Sequence, residues 1–321
     1  MSEMLERAHA IGKSCYNPRP MLAGRSRFSH INFAEKLNFS ARPFDLAPRT
    51  SPAPESNFEP LQGEDRDFLD WLLDRAGVSV SHYRPESLAR RLPACLRVLR
   101  ATSPSHGRAI IERNHSLTCT AISAVLIGVT SFFRDAQVFE DLDRHVLSEL
   151  QNRDQVRVWS VGCSEGMELY SVAMQLAERR LLHRCHLIGT DCRRPATRAA
   201  AAGVYPEQAV RELPERIRNR YFIPRDATSF TIHESIRAQV QWRTADVMRT
   251  VEPGPWDLIL CRNMAMYMRG DRVKELWQLL RNALRPGGYL VVGTAERPGR
   301  DCSMSMITPC IFQRDRSEIG V

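Results

Sequence analysis

The sequence predicts an α/β protein, a doubly wound and mostly parallel sheet preceded by an all-helical domain and carrying a small β insertion. Three observations predict it. From about Val156 onward, short apolar runs alternate with helical patterns, the alternation that builds parallel sheets. Between about Gly63 and Glu149 the apolar spacing is helical throughout. Within 156–174 the period changes from strand to helix across a turn holding Gly162 and Gly166, which is how α/β folds bring backbone close to a nucleotide. With 321 residues, 43% hydrophobic and 26% charged, the chain has room for two domains.

In chain order, residues 1–61 carry little apolar periodicity, and Arg42 to Pro60 is rich in proline, serine and alanine. This reads as a disordered or loosely packed leader, with a short helix at Ser29–Phe44 as its one candidate element. Residues 62–150 form the expected helical domain. Phe68, Leu69, Leu72 and Leu73 share one face of a helix over Asp67–Arg75 that ends at Gly77. The next helix starts after Tyr83 with Pro85 in its first turn, and Pro93 predicts a kink or break. Its apolar face is Leu88, Leu92, Cys95, Leu96 and Leu99, with Arg90 and Arg97 opposite. Those arginines read equally as a solvated face or as a docking face for an acidic partner.

Residues 151–321 form the expected catalytic domain. Its candidate strands are Val156–Val161, Cys185–Thr190, Gln239–Arg243, Trp256–Leu260 and Tyr289–Gly293. A helix over Arg272–Leu284 is closed by Arg285-Pro286-Gly287-Gly288, a proline–glycine stop before the next strand. Ser303–Met306 and Cys310–Gln313 read as antiparallel edge strands. An insertion at about 205–240 holds a helix (Pro214–Tyr221) and a β-like stretch (Ser229–Ile232).

The net charge is +8 and the pI about 9.2, compatible with an acidic partner surface or with a solvated arginine-rich one. No basic run is interleaved with aromatics, so nucleic acid is not an expected partner. Nine dispersed cysteines without a CxxC pair read as reduced cytosolic thiols. His183-Arg184-Cys185-His186 has no second ligand pair at suitable spacing, so no metal is expected. The start of the chain lacks a signal-peptide core, and the apolar run Ala121–Phe133 is too short to span a bilayer. The expectation is a cytoplasmic protein without membrane insertion; the sequence assigns no oligomeric state.

Asp191 closes the second strand a little over twenty residues past the glycine turn, where a carboxylate stands beside the ribose of a bound nucleoside. The turn is neither GxGxxG nor a P-loop. Glu165 and Glu168 make the following helix start negative, which repels a pyrophosphate and suits a cationic ammonium or sulfonium. That chemistry points to S-adenosylmethionine.

Four segments carry a specific resemblance: Val129–Asp135 (VTSFFRD), Trp159–Ser171 (WSVGCSEGMELYS), Trp256–Tyr267 (WDLILCRNMAMY) and Leu284–Glu296 (LRPGGYLVVGTAE). In this order and spacing they resemble the CheR-type chemotaxis-receptor protein-glutamate O-methyltransferases, class I S-adenosylmethionine-dependent enzymes with a Rossmann-like catalytic domain. The resemblance runs from about Gly63 to the C-terminus. It implies that Thr130 and Arg134 reach the methionine end of the cofactor or the incoming carboxylate, and that Glu168 holds the methionine moiety. It further implies Asp191 on the ribose hydroxyls, Asp246 on the adenine edge, Gly162 and Asn263 against the cofactor, and Tyr267 beside the transferred methyl. Arg134 and Tyr267 are thereby the candidate catalytic residues. Phe132 and Phe133 read as core.

The chain departs from the family's pattern at several positions. Gly128 stands where asparagine is frequent, Met167 replaces the first of a glutamate pair, Met268 follows the tyrosine, Thr294-Ala295 replaces His-Ser, and Asp246 takes the place of an asparagine. The implied reaction is displacement at a sulfonium methyl by a carboxylate that is already ionised at neutral pH, so no general base is needed. The implied partner is an acidic helical receptor domain, or another protein carrying the acceptor carboxylate. Two other readings stand beside it: a methyltransferase acting on a small metabolite or other protein, and a non-catalytic module that binds S-adenosylmethionine or S-adenosylhomocysteine.

Overall fold

The computed structural model describes residues 61, 63–126, 128, 130–299 and 302–316. The leader up to residue 60, with its candidate helix at Ser29–Phe44, lies outside the described residues. The helical part opens with α1 (Gly63–Asp74), which buries Phe68, Leu69, Leu72 and Leu73, the four residues the spacing places on one face. The single helix expected after Tyr83 is two: α2 (Pro85–Ala89) and α3 (Leu92–Leu99). The break falls at Arg90–Arg91, ahead of Pro93. That proline sits in the first turn of α3, where its missing N–H leaves no helical hydrogen bond unmade. Leu88, Leu92, Cys95 and Leu99 are buried while Arg90 and Arg97 are exposed. α4 (Pro104–Arg113) is capped by Ser103, whose hydroxyl accepts from His106 N at 3.1 Å, and α5 (Thr118–Val125) completes this core with Ala121, Ile122 and Val125. α6 (Ala136–Asp141) continues through a π-helical stretch, Leu142–Leu147, where the Arg179 guanidinium binds the buried Asp143 carboxylate at 2.6 Å.

Seven strands form the main sheet: β1 (Val156–Val161), β2 (Cys185–Asp191), β6 (Val240–Thr244), β7 (Trp256–Cys261), β8 (Leu284–Val292), β9 (Met304–Thr308) and β10 (Ile311–Arg314). Their order is β6-β2-β1-β7-β8-β10-β9, parallel except that β10 runs antiparallel to both β8 and β9. Val158 pairs with Leu187 on one side and Leu258 on the other, so β1 is central, and nearly continuous burial explains its apolar run. From β1 the chain steps outward to β2 and β6 on one side, then crosses back from β6 to β7 on the other side of β1. The crevice at the carboxyl ends of these strands is where such a sheet takes a ligand.

α7 (Met167–Glu178) follows the glycine turn, α8 (Arg194–Ala202) follows β2, and α10 (Gly270–Ala283) precedes β8, with α9 (Glu215–Tyr221) in the insertion between β3 (Val204–Pro206) and β4 (Phe222–Pro224). With β5 (Ser229–Ile232), β3 and β4 make a separate antiparallel sheet of order β3-β5-β4. Phe132 stands edge-on to Tyr205 and Phe222, with ring centres 4.9 and 5.1 Å away, and Phe133 packs on Phe139 at 5.3 Å. Both are core residues, as the sequence predicts.

One expected boundary is corrected. Arg285-Pro286-Gly287-Gly288 does not separate helix from strand, because β8 begins at Leu284 and contains it. Pairing shifts between Trp256 and Leu258, and a Cβ on Gly288 would stand 2.9 Å from Trp256 O. The run is therefore a bulge inside a strand pressed against its neighbour.

Glycine decides one packing contact in the sheet. The Trp242 ring of β6 lies over β2, where a Cβ on Gly189 would come within 2.4 Å of it, and a Cβ on Gly166 within 2.5 Å. Gly189→Ala should cost about 1–3 kcal/mol of unfolding free energy in urea titration. Adding Trp242→Leu should recover part of that loss, whereas additive losses would show that the two positions do not compete for one space.

Candidate functional site

A single cleft at the carboxyl ends of β1, β2, β6 and β7 is lined by Thr130, Arg134, Gly162, Glu168, Asp191, Asp246, Asn263 and Tyr267, every site residue expected from the sequence. The floor is the turn after β1. Gly162 N and Cys163 N donate to Thr190 O at 2.8 and 3.1 Å, which folds the chain back over β2. Gly162 has φ +66°, and a Cβ there would stand 2.9 Å from the Met264 sulfur. Only a residue without a side chain lets these two loops approach.

The facing wall comes from the helical part. Tyr83 bridges Met268 in antiparallel fashion, Arg84 N donates to Tyr267 O at 3.0 Å, and Arg269 N donates to His82 O at 2.9 Å. These backbone bonds, with Arg84 Nε on Met268 O at 2.9 Å, hold His82, Tyr83 and Ser87 against the loop that carries Tyr267. Because they run through the backbone, Met268 can replace the family's frequent phenylalanine without loosening this seam.

At one end of the cleft stands Glu168, in the first turn of α7. Its carboxylate accepts from Ser160 Oγ at 2.9 Å and from Arg262 Nη1 at 3.3 Å. Burial pushes its pKa up, against the opposing pull of Arg262 and the Ser160 hydroxyl. The Arg262 side chain is only 2% exposed. Its Nη2 donates to Arg134 O at 2.8 Å and to Asp135 Oδ2 at 2.7 Å, and the guanidinium lies 5.4 Å from the Phe139 ring centre. The sequence motif gives Arg262 no role; the available signal is a cation directly after the fully buried β7, which is apolar apart from Asp257.

Glu296 was likewise only a motif letter. Buried, it accepts from Asn263 N at 2.8 Å, Gly293 N at 2.8 Å and Met266 N at 3.1 Å. It thereby fixes the loop from Asn263, itself at φ +57°, toward Tyr267.

At the other end, Asp246 Oδ1 accepts from Met248 N at 3.0 Å, while the buried Oδ2 has no hydrogen-bond partner. His82 Nδ1 is 3.9 Å from it, and burial lowers the His82 pKa against the opposing pull of Asp246. A buried carboxylate oxygen without a donor on a cleft wall suits an exocyclic amine such as that of adenine, and Glu168 suits an ammonium group. The residues present fit S-adenosylmethionine on both counts.

Asp191 lies between these ends, in a state the sequence did not reveal. Oδ1 accepts from Arg193 N at 2.9 Å and Arg193 Nε at 3.1 Å. Oδ2 accepts from Ser164 N at 2.8 Å and Arg193 Nη2 at 3.3 Å. The Arg193 guanidinium, 9% exposed, also donates from Nη2 to Ser164 Oγ at 3.0 Å and lies flat against Gly128.

Glu296→Ala would leave three backbone N–H groups unpaired beside the cleft. Unfolding free energy should fall by about 2–4 kcal/mol in urea. A loss under about 0.5 kcal/mol would mean that water replaces the carboxylate there and that it does not hold the loop.

The model of the CheR methyltransferase SAM-binding domain matches residues 128–306. The chain is 27% identical over 223 residues to a chemotaxis protein methyltransferase of Listeria monocytogenes, covering 69% of this chain and 85% of that protein. To the one of Vibrio anguillarum it is 28% identical over 243 residues, covering 73% and 88%. Chemotaxis protein methyltransferase 1 of Pseudomonas aeruginosa is 31% identical over 187 residues, covering 54% and 68%. With the match spanning more than half of its length, three of the four motifs lining one cleft and Glu296 of the fourth holding the Asn263 loop, the chain belongs to the CheR methyltransferase family, and S-adenosylmethionine is its cofactor.

Proposed function

We propose that this chain methylates glutamate side chains on the helical domain of a chemoreceptor-type protein, a reading in keeping with relatives named chemotaxis protein methyltransferases. The observation that carries the reading is one cleft holding the partly buried Glu168 carboxylate at one end, an unpartnered acceptor oxygen of Asp246 at the other, and Arg134 and Tyr267 on its wall. The cofactor supplies a methyl group on a sulfonium. Glu168 binds its ammonium group, Asp191 the ribose hydroxyls and Asp246 the adenine amine, with Gly162, Thr130 and Asn263 closing around it. Arg134 orients a carboxylate, the acceptor's or the cofactor's own, and Tyr267 confines the methyl. Alignment in a closed site is the whole catalytic task, because the acceptor arrives ionised.

Residues 62–150 then serve as the domain that meets the acceptor and 151–321 as the catalytic domain. Arg84, Arg90, Arg91, Arg97 and Arg100 are exposed on and around α2 and α3, and Arg91 and Ser87 also reach the cleft wall. A positive face beside the entrance suits an acidic helical substrate. None of the described helices is long and apolar enough to cross a membrane.

Labelled S-adenosylmethionine should give base-labile label on a receptor's helical cytoplasmic domain, and Arg134→Ala should lower the rate about a hundredfold. Absence of such label on every receptor domain offered would overturn the substrate assignment. The Glu168 reading predicts a pH dependence of S-adenosylhomocysteine binding. Affinity depends on the ionised carboxylate holding the ammonium, and burial raises that carboxylate's pKa. It should decline on acidification, beginning at a higher pH than an ordinary glutamate would cause. Glu168→Gln should weaken binding and remove that inflection; an unchanged inflection in this variant would assign the titration to another group.

A further inference from the structure

Asp191 has no acceptor capacity left for a ligand in this structure. A carboxylate offers about four lone-pair directions. Two are taken by backbone donors, Ser164 N and Arg193 N, that belong to the turns themselves. The other two are taken by Nε and Nη2 of the Arg193 side chain. That guanidinium is the one mobile member of the set, since it hangs on a long side chain whereas the other donors are backbone.

Its seat is specific. A Cβ on Gly128 would lie 2.1 Å from Arg193 Nη2, 2.2 Å from Nη1 and 2.4 Å from Cζ, so the planar group fits only because residue 128 has no side chain. Ser164 Oγ completes the seat, donating to Gly128 O at 2.8 Å and accepting from Arg193 Nη2. Gly128, one of the chain's departures from its family's pattern, is thereby explained by a neighbour in space rather than in sequence.

We propose that Arg193 is an internal stand-in for the ribose. Its side chain holds the two Asp191 acceptor positions that the cofactor's 2′- and 3′-hydroxyls require, and it must release them for the cofactor to bind. This rests on the reading that Asp191 receives the ribose hydroxyls. Arg193 is thus a residue that sets cofactor affinity without contributing to the final complex at Asp191. Where only a fraction of the molecules has the guanidinium withdrawn, the apparent dissociation constant rises by the inverse of that fraction. The pair also keeps the buried Asp191 charge compensated while the cleft is empty of ligand.

The test is titration calorimetry of S-adenosylhomocysteine and its 2′,3′-dideoxy analogue on the full chain, with Arg193→Ala, Gly128→Ala and Asp191→Ala. Gly128→Ala evicts the guanidinium while retaining every charge, so the outcome does not depend on the stability of the arginine deletion alone. Both Arg193→Ala and Gly128→Ala should tighten S-adenosylhomocysteine on the order of tenfold, and leave the dideoxy analogue's affinity unchanged. Asp191→Ala should weaken S-adenosylhomocysteine and abolish the benefit of Arg193→Ala. Equal tightening of both ligands would mean a merely opened cleft and would overturn the proposal. So would an unchanged or weakened affinity in Arg193→Ala while Asp191→Ala weakens binding, an outcome that leaves the ribose reading standing. An Asp191→Ala variant that binds S-adenosylhomocysteine like wild type would remove the ribose reading itself.

Discussion

The buried guanidinium of Arg262 is the constraint on which the site depends. It extends from the end of β7, meets Glu168 in the first turn of α7, and bonds the backbone and side chain of the Arg134–Asp135 junction. Three separated segments are thereby fixed to one rigid fork, and each brings a candidate site residue with it. A cation so enclosed is tolerated only while its anionic partners remain, and removing one partner of such a pair typically costs about 3–5 kcal/mol. The same contact sets the charge of the cleft. Glu168, partly buried, stays in reach of Arg262, so this end of the cleft combines an anion with a nearby cation fixed in place.

The rest of the cleft is shaped by close backbone approaches. Gly162 lets the turn after β1 meet the Met264 loop, and Glu296 clamps that loop from beneath. The helical part closes the opposite side through backbone bonds between residues 82–84 and 267–269. The path of this seam is therefore set by backbone bonds, with Arg84 Nε on Met268 O added from a side chain. The Trp242 ring over Gly166 and Gly189 does for the sheet what Gly162 does for the loops, holding the α7 start and β2 at a fixed separation.

Legibility in the sequence followed the physics of each element. Val156–Val161 and Ser229–Ile232 could be read to the residue, the first because nearly continuous burial leaves it apolar apart from Arg157 and Ser160, the second because the insertion strand is bounded by turn residues. The start of β8 was misplaced because proline and glycines normally punctuate, and only the partner strand's register shows them as a bulge. The break between α2 and α3 was anticipated from Pro93 but falls at Arg90–Arg91, since proline is better accommodated at a helix start than in its interior. Asp191 and Glu168 were visible through spacing from the glycine turn. Arg193 was not, because its partners Gly128 and Ser164 come from loops far away in sequence and no local pattern links them.

Asp246 and Asp191, on the wall of one cleft, show why position and availability are separate properties. Asp246 retains a buried acceptor without a donor, an energetic deficit of about 1–3 kcal/mol that a ligand amine removes. Asp191 is in the opposite condition, its lone pairs filled from within by backbone and guanidinium. A ligand gains a hydrogen bond outright at the first and only exchanges one at the second. On the proposed binding mode, an adenine contact at Asp246 would contribute net affinity and a ribose contact at Asp191 mainly discrimination, since only a ligand carrying both hydroxyls would replace what the arginine gives up. Selectivity of this kind comes from an internal competitor rather than from an added contact, and it follows from one glycine that leaves space for a guanidinium.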